Sequence, residues 1–63
     1  MTATEFVSRQ EAALILNIPL DAIDHLIATG LLSRYRIRDR YVRVPRAEVD
    51  ELATLDREFL LHA

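Results

Sequence analysis

The chain has no cysteine, no tryptophan and no lysine, and only one glycine and two prolines among its 63 residues. Without cysteine there is no disulfide framework, no thiolate metal site and no thiol nucleophile. One glycine excludes a glycine-rich phosphate loop. The longest unbroken apolar run, Ala12 to Leu16, falls far short of the roughly 20 residues that cross a bilayer. No basic stretch followed by an apolar core opens the chain, so no secretory signal is expected and a cytoplasmic setting is the default. What is present is 51% hydrophobic and 29% charged, a mixture that folds rather than staying disordered. The length predicts a single domain over 1–63, with a loose lead-in at 1–5 and a frayed end at 62–63. A domain this small buries roughly 60% of its unfolded surface. Its core is thin, with little room for an internal catalytic cleft.

The net charge is −2, but its distribution is lopsided. Arg34, Arg36, Arg38, Arg40, Arg43 and Arg46 stand against Asp39 alone between residues 34 and 46, while the rest of the chain sets Arg9 and Arg57 against nine acids. Such polarity, more than the net value, sets the local field and the kind of partner it attracts.

Ser8-Arg9-Gln10-Glu11 has the form of a capping box, in which Ser8 accepts from the Glu11 N–H and Glu11 reaches back to the Ser8 N–H. Phe6 or Val7 would supply the hydrophobic staple. A first helix is predicted from Arg9 to about Leu16, apolar nearly all round and therefore buried. Asn17 tolerates the left-handed conformation that ends helices, and Pro19 suits the first turn of a new one. A second helix is predicted from Leu20 to Thr29, with Ile23, Leu26 and Ile27 as its apolar stripe and Gly30 as its stop. The period then changes to two. Tyr35 and Ile37 alternate with arginines, as do Val42 and Val44 with Tyr41 and Arg43, which predicts a hairpin. A two-residue loop at Asp39-Arg40 pairs Ile37 with Val42 and Tyr35 with Val44. It sets Arg36 opposite Arg43 and Arg38 opposite Tyr41, giving one apolar and one basic face; a three-residue loop would mix the faces. Pro45-Arg46 opens a last helix carrying Val49, Leu52, Ala53, Leu55, Phe59 and Leu60. The fold class expected is mostly α with one small β-hairpin, in the order helix, helix, hairpin, helix.

Two short helices joined by three residues are compatible with a helix-turn-helix, whose first helix braces the second for entry into a DNA major groove. They are equally compatible with an ordinary helical hairpin in a small core. The arginine-rich hairpin that follows bears on the choice. Facing arginines repel, and a phosphate backbone would relieve that repulsion through charge-assisted hydrogen bonds. Neutralisation by Glu48, Asp50 and Glu51 is the alternative.

The stretch from Val7 to Leu52 resembles the excisionase-type, MerR-like winged-helix family. The resemblance is carried by Ser8-Arg9-Gln10-Glu11-Ala12-Ala13, Leu16-Asn17-Ile18, Ile23, Leu26-Ile27 and Gly30-Leu31-Leu32. It continues through Arg40-Tyr41-Val42-Arg43-Val44-Pro45-Arg46-Ala47-Glu48-Val49 and spans about three quarters of the chain. It implies a winged helix-turn-helix that binds double-stranded DNA, with the second helix in the major groove and the hairpin, as wing, on the flanking backbone or minor groove. Family members include phage excisionases and small transcription regulators. The resemblance places Leu20, Asp21, Asp24 and His25 at the major groove and Arg34, Arg36, Arg38, Arg40 and Arg43 on the wing. Arg9 and Arg46 fall at flanking phosphates. Where the family opens the second helix with Ser or Thr and lines it with basic or aromatic residues, this chain has Pro19, Leu20, Asp21, Asp24 and His25.

No catalytic group is legible. His25 and His62 are too far apart in sequence, without cysteine, to suggest a metal site. Ser8 and Ser33 have no histidine at motif spacing. Asp21 with Asp24, and Asp50 with Glu51, sit at helix-surface spacing. No cofactor, metal, membrane or small-molecule substrate is expected. The expected function is non-catalytic binding of double-stranded DNA, as an excisionase-like recombination accessory factor or a small transcription regulator, bacterial or phage-encoded. Leu55, Phe59 and Leu60 either complete the core or contact a second copy or another protein such as a recombinase. A protein-interaction module on the same scaffold, antitoxin-like or an adaptor, is the other reading, drawn from the acidic second helix and the apolar tail.

Overall fold

The computed structural model describes residues 5–62. Among them are four helices and a three-stranded antiparallel sheet of order β1-β3-β2, a small mixed α/β arrangement. In chain order the elements are β1 (Phe6–Ser8), α1 (Arg9–Leu16), α2 (Leu20–Ala28), β2 (Tyr35–Ile37), β3 (Tyr41–Pro45), α3 (Arg46–Leu52) and α4 (Arg57–His62). The sequence prediction of two strands and three helices is thus short by β1 and α4.

β1 falls where the lead-in was expected to end. The lead-in at 1–4 and the last residue of the frayed end, 63, lie outside the described residues. Glu5 is already tied down, its carbonyl accepting from the Arg46 N–H at 2.8 Å. Val7 pairs with Val44 in register, and both are buried.

α1 starts at the expected residue with one half of the expected capping box, since among the described residues Glu11 makes no return bond to the Ser8 N–H. Ser8 is its N-cap and the Ser8 hydroxyl accepts from the Glu11 N–H at 3.0 Å, satisfying one of the free donors of the first turn. The helix is not apolar all round in effect, because Leu14 is 82% exposed. Only Ala12 and Leu16, four residues apart on one face, enter the core.

α1 and α2 end by the same device. Asn17 adopts φ 57 and Gly30 φ 85. The N–H of Ile18 reaches the Ala13 carbonyl at 3.1 Å and that of Leu31 the Leu26 carbonyl at 3.0 Å, while Asn17 and Gly30 donate to Leu14 and Ile27. These are Schellman closures with a left-handed residue after the helix. At Gly30 an added Cβ would meet nothing within 4 Å, so Gly30→Ala isolates the backbone strain of a left-handed alanine. It is expected to lower stability by about 1–2 kcal/mol, read as a lower urea midpoint with an unchanged m-value.

The last helix breaks in two. The Thr54 hydroxyl donates to the Glu51 carbonyl at 2.7 Å, a local bond that competes with helix continuation. The chain restarts at α4, where the Leu60 N–H reaches the Asp56 carbonyl. The break turns Leu60 inward, while Leu55 and Phe59 remain outside. Leu60 is therefore a core residue, which sets aside its candidacy as a self-association contact. Arg57 fastens α4 to the α1–α2 turn through an Nε bond to the Asn17 carbonyl at 2.7 Å.

The core is one cluster. α2 contributes Ile23 and Leu26, the sheet Val7 and Val44, α3 Val49 and Leu52, and the connections Ile18 and Leu32.

The hairpin corrects the predicted register. Ile37 pairs with Tyr41, Arg36 with Val42 and Tyr35 with Arg43, leaving a three-residue loop rather than two. Arg38 and Asp39, at φ 55 and 59, form the type I′ turn that matches strand twist, closed by the Arg40 N–H on the Ile37 carbonyl at 3.1 Å. Arg40 is the extra residue. Two forces select this register. It moves Arg36 and Arg43 to opposite faces, removing the like-charge pair of the predicted one. It also puts Tyr35 on the outer face, where its ring meets Phe6 edge-on at 5.4 Å, a contact worth about 0.5–1.5 kcal/mol. The faces are mixed in consequence: neither is purely apolar or purely basic.

Candidate nucleic-acid interface

Side chains alternate across a strand, so the register divides the hairpin arginines into two sets. Arg36 lies on the same face as Val42, the side that carries the core. Arg34 precedes β2 and lines a hollow of about 610 Å³ with Arg9, Asp24, Ile27, Ala28 and Val42. That hollow runs between the N-terminus of α1, the C-terminal half of α2 and the hairpin. Arg43 lies on the outer face with Tyr35 and Tyr41, and Arg38 stands at the turn. Arg40 follows it, with its guanidinium 5.9 Å from the Tyr41 ring centroid.

Of the three acids offered as the alternative, neutralising partners, Asp50 alone pairs with an arginine of the 34–46 cluster. Glu48 accepts from both the N–H and the hydroxyl of Ser33, at 2.8 and 2.9 Å, and so pins the segment that leads to Arg34. Asp50 pairs with Arg46 at 3.0 Å. That hydrogen bond, with the charge of Asp50, raises the Arg46 pKa above its usual value. Glu51 uses its carbonyl, on Thr54. Among the described residues, Arg34, Arg38, Arg40 and Arg43 have no carboxylate within ion-pair distance. Arg36 has only Asp39 at 3.8 Å, in a turn where Asp39 is 93% exposed. A pair so long and so solvated contributes little.

On α2 the four candidate groove residues have different fates. Leu20 is half-buried and packs against the core. Asp21 and His25 are exposed. Asp24 is bound to Arg9 at 2.7 Å, across from α2 to the first residue of α1. Two anomalies of the sequence thus explain one another. An aspartate on a helix proposed to face DNA, and an arginine assigned to a flanking phosphate, form an interhelical pair. Arg46 is likewise engaged by Asp50, so both flanking arginines are partly committed within the fold.

Among the described residues no group of three or more His, Asp or Glu could hold a metal ion, and no helix is long and apolar enough to cross a membrane. What the arrangement offers is an array of guanidinium groups with unused donors, in fork geometry suited to phosphate.

The sequence did not reveal the outer face of the sheet, where Phe6, Tyr35 and Tyr41 surround Arg43. The one available signal was the aromatic spacing about the hairpin, and it could be placed only with the register known. No family model, curated protein or solved structure matches this chain.

Proposed function

We propose that this chain is a small winged helix-turn-helix domain that binds double-stranded DNA without catalysis. Its biological use would be as an excisionase-like accessory factor or a small transcription regulator. The observation that carries this reading is the set of hairpin arginines beside the exposed face of α2, paired with no carboxylate except for the long, solvated approach of Asp39 to Arg36. An unpaired guanidinium cluster raises the local potential and gains most from a polyanion. Arg34 and Arg36, on the α2 side, and Arg38, at the turn, are the phosphate contacts, with Asp21 and His25 at the groove. α1, the Asn17 turn and α2 stand as brace, turn and reading helix, and the hairpin is the wing.

The test is fluorescence anisotropy of a labelled duplex across a salt series. Affinity is expected to fall steeply and linearly on logarithmic axes, with a slope of about −0.9 for each phosphate neutralised. Asp24→Asn sharpens the test. It removes an acid from the groove face and releases Arg9, so duplex binding is expected to tighten and its salt slope to steepen by about one. Because Asp24 and Arg9 are both substantially exposed, stability should change little. The protein-interaction reading draws on the exposed Leu14, Leu55 and Phe59 and on the acids of α2. It requires the opposite result: no salt-dependent duplex binding, and a partner lost on changing Asp24 or Phe59.

A further inference from the structure

The duplex reading leaves the outer face of the sheet without a role. Phe6, Tyr35 and Tyr41 are 36%, 47% and 48% exposed there, and Arg43 sits among them, with its guanidinium 5.4 Å from the Tyr41 ring centroid. β1 ends at Ser8, opposite Arg43, so Tyr41 and Val42 have no β1 partner. At this edge the sheet opens into a hollow of about 350 Å³ lined by Ser8, Arg9, Gln10, Arg40, Tyr41 and Arg43, together with Val42. No acid lines it. Neither Arg40 nor Arg43 has a carboxylate within ion-pair distance among the described residues.

This combination narrows the occupant. A purely apolar partner would bury Arg40 and Arg43 without compensation, at a large desolvation cost. A plain polyanion would satisfy the arginines and leave the rings in water. A DNA duplex offers phosphates, but its base faces are stacked on one another and closed to tyrosine. The chemistry that presents phosphates and open aromatic faces together is an unpaired nucleic-acid strand, whose bases stack on aromatic side chains while arginines follow the backbone. We propose that the outer face of the sheet binds single-stranded nucleic acid. Phosphate sits in the hollow between Arg40, Arg43 and the start of α1, and bases lie on Tyr41 and Tyr35. Its arginines and rings, Arg40, Arg43, Tyr35 and Tyr41, differ from the duplex contacts Arg34, Arg36 and Arg38, with Arg9 lining both hollows, and the site stands whether or not the duplex surface binds DNA.

The chain supplies its own reporter. It has no tryptophan and two tyrosines, so its tyrosine emission comes only from Tyr35 and Tyr41, both on this face. The intact chain is titrated with oligodeoxythymidylate, oligouridylate, a duplex of the same length, and polyphosphate as a polyanion without bases. Saturable quenching by a strand, with none from polyphosphate or duplex, is the expected result, and the tighter of the two strands assigns the site to DNA or RNA. Tyr41→Ala should weaken strand binding roughly tenfold or more, while Tyr41→Phe, which keeps the ring, should retain it. Loss of duplex binding alone would overturn the duplex reading and leave this one standing. No quenching by either strand, equal quenching by polyphosphate or by duplex, or strand binding by a folded Tyr41→Ala as tight as that of the parent would each overturn the proposal. Should Tyr41→Ala not fold, the titration of the intact chain decides.

Discussion

Replacing Arg34, Arg36 and Arg38 together by alanine is expected to weaken duplex binding by on the order of 10²-fold or more at low salt, and to flatten the salt slope by about three. The magnitude follows from what these groups do in the free protein. Their ion pairing is confined to a 3.8 Å approach of Arg36 to a fully solvated turn aspartate. The guanidinium groups therefore enter a complex with their donors unspent, and each loss removes a charge-assisted contact without removing a fold contact. Circular dichroism and the thermal midpoint should stay close to those of the parent. Changing Arg38 should even relieve a little strain if glycine is used instead, since its φ is positive. The same three substitutions should leave strand-dependent tyrosine quenching largely in place, because Arg40 and Arg43 serve the other face. Unchanged duplex affinity in the triple variant would remove the basis of the DNA-binding reading.

How far the fold could be read from the residues depended on whether the signal was local. Ser8, Asn17 and Gly30 act through their own backbone geometry, and the helix ends they mark stand where the sequence puts them. Gly30 and Asn17 need nothing distant to adopt a left-handed conformation. The hairpin register is a different kind of quantity. Alternation alone fits two registers offset by one residue, and the choice was made by the like-charge conflict of Arg36 with Arg43 and by Phe6, some thirty residues earlier in the chain. The three residues of β1 are too few to show alternation, so the strand that arbitrates the register was itself invisible. Leu14 shows the converse limit. Its apolar neighbours made it look buried, but α1 has a partner on only part of its circumference. At the candidate site, the arginine cluster was plain from composition. Its division between two faces, and the bond of Asp24 to Arg9, were not, because both depend on contacts across elements.

Leu26→Ala should remove the cooperative unfolding transition of the free protein at ordinary temperatures. Leu26 is fully buried, and its backbone carbonyl already gathers the N–H groups of Leu31 and Leu32 and the Thr29 hydroxyl. Truncation therefore strikes the side chain at the point where α2 closes on the core. Such a change costs about 2–5 kcal/mol through lost transfer energy and the cavity left behind. A domain of this length holds only about 3–9 kcal/mol in all, at roughly 0.05–0.15 kcal/mol per residue. The variant should thus lie near or below the balance point, with far-ultraviolet circular dichroism of a largely unfolded chain. Ligand binding to the folded form restores about 2.7 kcal/mol at one hundred times the dissociation constant. The thermal transition of Leu26→Ala is therefore expected to return on adding excess duplex at low salt, and to vanish again as salt is raised. The Arg34, Arg36 and Arg38 changes, placed on top of Leu26→Ala, should abolish that rescue without further harming the free chain. Rescue by duplex that is indifferent to those arginines would place the binding energy elsewhere on the molecule. A protein-binding domain would show no rescue by DNA at all, so one melting experiment tests the thinness of the core and the identity of the partner together.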